Sequence, residues 1–360
     1  ARGWNSLVAS AGGRLVSKLE AGDSRHIALP LASKNPLAIW RNAGKLAEII
    51  RVWNVDIVHA RSRAPAWSAF VATRRTGIPF VVTYHGAYTQ TNAAKALYNS
   101  VMARGDTVIA NSRWTADLIV ERYPWANDNI IAIPRGTDFD EFDPAAVSAE
   151  RMEKLLRAWG VEKDKPNFLF VHLARLTGWK GQAVVIDAAA QLASNHPEAV
   201  FVLAGDAQGR EDYLDGLNSQ IISHGLHKRV LLPGHCDDPA AAMAVADAVV
   251  VASTEAEAFG RAAVEAGALE KPVIVTRIGA VGETVLATPD VDESRRTGWK
   301  VTPNDPSELA CAMREVMALS EDERATVGKR ARHRGLDQFS LQQMCEKTLA
   351  VYDKLLAHKQ

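Results

Sequence analysis

Cysteine is scarce in this chain of 360 residues: three occur, Cys236, Cys311 and Cys345. They are odd in number, far apart and lack metal-ligand spacing, which argues against a disulfide-stapled scaffold and for a reduced compartment. Net charge is absent, with 42 Lys and Arg against 42 Asp and Glu, which argues against an overall basic nucleic-acid binder. No uninterrupted apolar run approaches the ~18–20 residues that span a bilayer. Internal repeats and low-complexity tracts are missing. So are G-x-G-x-x-G, P-loop, G-x-S-x-G and H-E-x-x-H signatures, which weakens the dehydrogenase, kinase, serine hydrolase and zinc protease readings.

What is present suits a folded α/β chain. Hydrophobic residues make up 47% and charged residues 23%, and the length suits two domains. Short apolar, β-branched runs at 56–59, 79–84, 107–110, 130–133, 168–173, 200–204, 230–232, 248–252 and 272–276 read as strands. Helical patterns fall at 36–52, 64–76, 113–123, 181–194, 210–224, 258–269, 306–319 and 341–357. This alternation predicts parallel sheets covered on both faces. The turn-rich, acidic run from Pro134 to Pro144 marks a break. Two doubly wound domains joined there would each bind ligand outside the carboxyl ends of their strands, which puts the expected site in a cleft between them. Charge is split along the chain: residues 1–160 carry 20 Lys and Arg against 14 Asp and Glu, and residues 161–360 carry 22 against 28. That split suggests halves with different partners, or chance.

Three motifs carry chemistry. In Glu257-Ala-Phe-Gly-Arg-Ala-Ala-Val-Glu265 two carboxylates flank seven residues. Read as one helix, eight residues turn through roughly 800°, so Glu257 and Glu265 share a face, with Glu257 beside the free N–H groups of Phe259 and Gly260. A solvated helix with an acidic first turn would look the same. In His172-Leu-Ala-Arg175-Leu-Thr-Gly-Trp-Lys180-Gly181 two cations leave a strand's carboxyl edge. Arg175 as a planar fork and Lys180 as a point charge suit a diphosphate, at ~1.5–3 kcal/mol per charge-assisted bond; ordinary surface charge on a βα loop is the plain alternative. Thr83-Tyr84-His85-Gly86 puts His85 at a strand end, although a lone His is commonly structural. The turn at Gly205-Asp206 is generic in α/β folds.

Taken together, these residues resemble the family-4 retaining glycosyltransferases of the GT-B fold (glycosyl transferases group 1). Glu257 and Glu265 match the family's E-x7-E motif, with Ala258 where Gly is usual. Arg175 and Lys180 match its phosphate-binding pair, and His85 its cleft histidine. Pro134-Arg-Gly-Thr-Asp138 resembles its inter-domain Pro-Asn-Gly-x-Asp segment, and Gly279-Ala-Val-Gly-Glu283 its later Gly-Gly-x-x-Glu turn. The wording His59-Ala-Arg-Ser-Arg63 is similar to lipopolysaccharide-core transferases of alphaproteobacteria.

The resemblance implies an acceptor-binding Rossmann-like domain over 1–134 and a donor-binding one over 135–338, facing a central cleft. A C-terminal helix in 339–360 would pack back on the first domain. It implies a cytoplasmic, retaining, metal-independent transferase. The nucleotide-diphosphate sugar, UDP-, GDP- or ADP-linked, is a co-substrate, and no cofactor is expected. The acceptor would be a glycan or lipid-linked, in lipopolysaccharide or polysaccharide biosynthesis. Arg175 and Lys180 would neutralise the diphosphate, Glu257 would hold donor-sugar hydroxyls and Glu265 ribose hydroxyls. Backbone N–H groups of Phe259 and Gly260, with Arg261, Gly205 and Asp206 nearby, would complete the donor site, and His85 would contact the sugar.

Family members open with a strand, a Gly-Gly loop and a helix. Here residues 4–10 resemble the second strand, followed by Gly12-Gly13, so the first strand, its loop and most of its helix are expected to be missing. That would leave a sheet position empty. Asp138-Phe-Asp140 and Asp140-Glu-Phe-Asp143 have the short spacing of metal-binding acids but sit in the linker, where capping is the simpler role. Basic residues beside aromatics at 61–75, 113–114 and 122–125 suit peripheral contact with anionic lipid; no RNA-binding motif accompanies them, and core Trp with ordinary surface charge is the plain reading. The competing functions are a nucleotide-sugar epimerase or hydrolase of the same fold, and an inactive sugar-nucleotide sensor.

Overall fold

The computed structural model describes residues 3–13, 15–161 and 167–357. Ala1, Arg2 and residues 358–360, the ends of the expected first domain and C-terminal helix, lie outside them. The chain divides into two compact units, Ala1–Ile133 with Lys347–Gln360, and Pro134–Glu346. By sequence the first unit carries 19 Lys and Arg against 9 Asp and Glu, and the second 23 against 33. The charge split is therefore sharper by folded unit than by sequence half.

The first unit runs β1 (Leu7–Ser10), α1 (Val16–Ala21), β2 (Arg25–Ala28), α2 (Pro36–Val52), β3 (Val58–Ala60), α3 (Arg63–Thr76), β4 (Phe80–Tyr84), α4 (Ala93–Asn99), β5 (Thr107–Ala110), α5 (Arg113–Arg122) and β6 (Ile130–Ala132). β3-β4-β5-β6 form a parallel sheet. β4, apolar at nearly every position, is buried throughout, as a central strand covered on both faces must be. β1 and β2 pair in parallel as a separate two-stranded sheet, and among the described residues no ladder joins it to β3. All four residues of β1 are only half-buried.

Local chemistry sets the helix ends. α2 starts at Pro36 behind Asn35, whose side chain accepts from the Leu37 N–H. Its inner face of Asn42, Ala43, Ala47 and Ile50 is buried, with α3 its main neighbour.

The second unit runs α6 (Ala149–Trp159), β7 (Phe168–Leu173), α7 (Gln182–Leu192), β8 (Ala199–Ala204), α8 (Glu211–Ser223), β9 (Val230–Leu231), α9 (Pro239–Ala244), β10 (Ala248–Val251), α10 (Arg261–Ala268), β11 (Val273–Thr276), α11 (Val281–Thr284), β12 (Trp299–Val301), α12 (Pro306–Ala318) and α13 (Glu321–Gln338). The last helix, α14 (Leu341–Ala357), follows. Six parallel strands lie in the order β12-β11-β10-β7-β8-β9. Strand alternation sends Phe168 and Phe170 to one core and Leu169 and Val171 to another, so each face has its own apolar layer. Phe170 stacks on Phe201 with ring centroids 5.1 Å apart; each such side chain contributes roughly 1.5–3 kcal/mol on burial.

Several elements have little signature in the sequence. α13 begins Glu-Asp-Glu-Arg and carries no broad apolar stripe; it is announced instead by a capping box between Ser320 and Glu323. β2 and β12 are too short to show periodicity. The acidic linker run caps its own turns: Asp138 Oδ1 accepts from the N–H groups of Asp140 and Glu141, and Asp143 pairs with Arg332 at 2.5 Å.

Candidate active site

In the second unit the sheet grows in one direction from β7 through β8 to β9. It then restarts on the other side of β7 with β10. The loops after β7 and β10 therefore part at a topological switch point, where open α/β sheets leave a crevice at their carboxyl edge. The expected donor-site residues gather on these loops and those after β8 and β11.

Lys180, in the loop after β7, donates to Glu257 Oε1 at 2.6 Å, and Ser253 Oγ donates to the same oxygen. The Lys180 and Glu257 side chains are 17% and 12% exposed, so the pair is mostly shielded from solvent yet reachable. The ammonium also lies 4.2 Å from the centre of the Trp179 ring. The two loops are stitched together by the Thr254 N–H, which donates to the Trp179 carbonyl at 2.8 Å.

Glu257 is fixed through its backbone as well. Its carbonyl accepts from the Ala280 N–H at 2.9 Å and it bridges Gly279. Gly279 has φ +70°, and a Cβ there would stand 2.3 Å from the Glu257 carbonyl oxygen, so only glycine allows the approach. This turn is the Gly-Ala-Val-Gly-Glu segment of the sequence reading.

Arg175 is exposed at the tip of the same loop as Lys180, and its guanidinium has no ion pair among the described residues. The loop is held from β8: the Leu176 N–H donates to the Asp206 carbonyl at 3.1 Å. A Cβ on Gly205 would come within 1.8 Å of the Ala174 carbonyl oxygen. Gly205 thus brings β8 against the cationic loop. The Asp206 carboxylate accepts from the Gln208 N–H at 2.8 Å and closes its own turn.

One sequence expectation needs correction. The predicted helix 258–269 is shorter, and α10 starts only at Arg261 behind Gly260, whose φ is +82°. Glu257 is in the loop before it, so the shared-helix-face argument for Glu257 and Glu265 fails. Glu265 is buried on α10 and accepts from Arg261 at 2.5 Å, an i,i+4 pair. The Phe259 ring lies in the core against Phe339, leaving only its backbone for a ligand. His85 belongs to the first unit and is not among these residues. It follows β4, half-buried, with Arg61 Nε 3.4 Å from its Nε2.

Ser253 and His172 have no assigned role in the sequence reading, yet the structure places both against the Lys180–Glu257 pair. Ser253, four residues before Glu257 at a strand end, is 1% exposed; a hydroxyl at that position was the available signal. His172 is fully buried beneath the loop, with Nδ1 2.8 Å from the Val250 carbonyl and Nε2 unpartnered. Desolvation pushes its pKa from 6.5 down to about 4. In the first unit His59, between Thr83 at 2.6 Å and Tyr352 at 2.5 Å, is likewise lowered to about 4, mainly by burial.

Both imidazoles are neutral when folded, whereas the unfolded chain takes up their protons below pH 6.5. Their stabilising effect is whole above pH 6.5 and is lost progressively toward pH 4, at about 1.4 kcal/mol per pH unit for each group at most. Calorimetry should show melting temperatures falling over that window. His172→Asn, which keeps a donor toward Val250, should flatten the dependence of the transition to which the second unit contributes. An unchanged slope would remove His172 as the cause.

Among the described residues no group of three or more His, Cys, Asp or Glu is arranged to hold a metal ion.

Comparison with known proteins agrees with this geometry. Residues 153–334 match the family model Glycosyl transferases group 1, and residues 1–141 match Glycosyltransferase Family 4. The structure is similar to a glycosyltransferase from Rickettsia africae, with TM-score 0.88 and 35% identity over 98% of this chain and 91% of that one. It is also similar to Anabaena HepE in complex with UDP-glucose, with TM-score 0.78 and 26% identity over 96% of this chain and 91% of that one. In sequence it is 30% identical to the D-inositol 3-phosphate glycosyltransferase of Xylanimonas cellulosilytica over 64% of this chain, a match spanning only 58% of that relative's length. With the parallel sheets, the switch-point loops and these matches in place, the chain belongs to the group 1 glycosyl transferases, with GT-B architecture built from two Rossmann-like domains.

Proposed function

We propose that the protein is a retaining, metal-independent glycosyltransferase that moves a sugar from a nucleoside-diphosphate sugar to a glycan or lipid-linked acceptor at the cytoplasmic side of the cell envelope. The observation that supports this best is the Lys180–Glu257 ion pair at the switch point of the second unit's sheet, with Arg175 exposed on the same loop as Lys180. A UDP-sugar is the favoured donor, since HepE was solved with UDP-glucose.

In this reading the bond between the anomeric carbon and the β-phosphate oxygen breaks while the acceptor oxygen bonds to the same face of that carbon. The acceptor's proton passes to the departing phosphate oxygen. Negative charge grows on the diphosphate, so Arg175 and Lys180 act mainly in the transition state. An ammonium has three donors, so Lys180 can retain Glu257 and still reach a phosphate. The second Glu257 oxygen is left for donor-sugar hydroxyls. Glu265 holds the ribose, and His85 contributes from the first unit. The acceptor belongs to lipopolysaccharide or a related envelope polysaccharide. No described helix is long and apolar enough to cross a membrane, so a lipid-linked acceptor would be met at the bilayer surface.

The test is a thermal-shift series with UDP, GDP and ADP and their glucose conjugates, followed by product analysis. The cognate donor should stabilise the native state by about 2.7 kcal/mol at a hundredfold excess over Kd, and transfer should persist in EDTA. Stabilisation by none of these nucleotides would sink the reading. Release of free UDP without acceptor would replace it with hydrolysis or epimerisation, and binding without turnover would replace it with a sensor.

A further inference from the structure

Large apolar side chains are left exposed unevenly. Of the twelve found among the described residues nine lie in the first unit, and four of those, Leu37, Trp40, Val52 and Trp53, belong to α2 or the residue that ends it. On a helix turning about 100° per residue, Leu37, Trp40, Arg41, Lys45, Glu48, Arg51 and Val52 occupy one arc of roughly 140°, opposite the buried Asn42, Ala43, Ala47 and Ile50. All seven are exposed, and Glu48 is the only acid on the helix.

The chain nearby adds a cation to this stripe and another just beyond the helix end. The exposed Arg75 of α3 lies 5.4 Å from the centre of the Trp40 ring, and Arg25 of β2 lies 4.8 Å from that of Trp53. Trp40 and Leu37 are 63% and 68% exposed. Apolar side chains standing out among Arg and Lys, on a unit with 19 basic against 9 acidic residues, have the composition of an interfacial helix. The aliphatic Leu37 and Val52 have nothing to stack on in a nucleic acid, whereas aliphatic side chains and Trp among Arg and Lys suit a headgroup–acyl boundary.

We propose that the outer face of α2 docks the first unit on an anionic lipid bilayer, with Leu37, Trp40 and Val52 entering the interface and Arg41, Lys45, Arg51 and Arg75 on the headgroups. This gives the lipid-linked-acceptor reading its surface. Of the stretch at 61–75 it keeps only Arg75: Trp67 and Phe70 pack against the core, and Trp67 Nε1 donates to the Tyr98 carbonyl.

The test is cosedimentation of the full chain with vesicles of equal parts phosphatidylcholine and phosphatidylglycerol, and with pure phosphatidylcholine. Binding should occur on the anionic vesicles only and fall as salt rises. The Arg41→Glu/Lys45→Glu double variant should bind about thirty-fold more weakly or worse, and Leu37→Ser/Trp40→Ser roughly tenfold more weakly. Arg157→Glu, on the second unit, should change nothing, and circular dichroism verifies the fold of each variant. Equal binding to both vesicles, undiminished binding of the double charge variant, or no binding at low salt overturns the proposal. Retention of single-stranded RNA in place of vesicles would assign the face to nucleic acid, and a dimer abolished by Leu37→Ser/Trp40→Ser without vesicle binding would assign it to self-association. The vesicles contain no donor or acceptor, so this result is separate from the nucleotide melts that decide the transfer reading.

Discussion

Lys180→Ala should lower kcat about a hundred- to a thousand-fold with the donor selected by thermal shift, the usual cost of removing one donor aimed at developing charge. Arg175→Ala should act in the same direction. The two losses should not multiply fully, because both groups serve one diphosphate. Their structural consequences differ. Arg175 is exposed and unpaired among the described residues, so its removal should leave the melting temperature unchanged. Lys180 neutralises a mostly buried carboxylate, so Lys180→Ala should lower stability modestly while the far-ultraviolet spectrum stays native. Lys180→Arg should not restore the rate, since a planar fork does not fit the seat of a point charge between Glu257 and the Trp179 ring. Steady-state kinetics and melts on the same preparations decide the matter; near-wild-type turnover in both alanine variants would remove these residues from the transition state.

Glu257→Ala should lower kcat/KM by roughly ten- to a hundred-fold, as expected for losing charge-assisted bonds of ~1.5–3 kcal/mol. The loss should appear as raised KM as well as lowered kcat, because Glu257 is read as holding the donor sugar before and during transfer. Glu257→Gln keeps an acceptor for Ser253 Oγ but loses the charge that holds Lys180. It should fall between wild type and alanine. Combined with Lys180→Ala it should show coupling, the two side chains being 2.6 Å apart. Strict additivity in that cycle would mean that the pair in the structure does not contribute to the reaction.

Much of the architecture was legible because parallel strands covered on both faces leave a strong mark. The runs at 79–84 and 168–173 correspond to β4 and β7, and 36–52 and 341–357 are the bounds of α2 and α14. The α10 start was misplaced because Phe259 continues an apolar helical pattern, whereas Gly260 at φ +82° breaks the helix locally. The long helix α13 was overlooked because its signal is a cap and charges rather than an apolar stripe. That β1 and β2 pair apart from β3 could not be read from residue types.

Fold class, the cations on one βα loop and the paired glutamates at their spacing are legible in the residues. Each of these is local, readable from periodicity or from a short motif beside a strand end. The meeting of Lys180 and Glu257, 77 residues apart, in an ion pair with Ser253 on the same oxygen is a product of the folded chain. The burial of His172 and the exposure of the outer face of α2 likewise come from packing. The strand order at the switch point and the long-range burial of side chains arise from packing among distant segments, and neighbouring residues in the chain do not encode them.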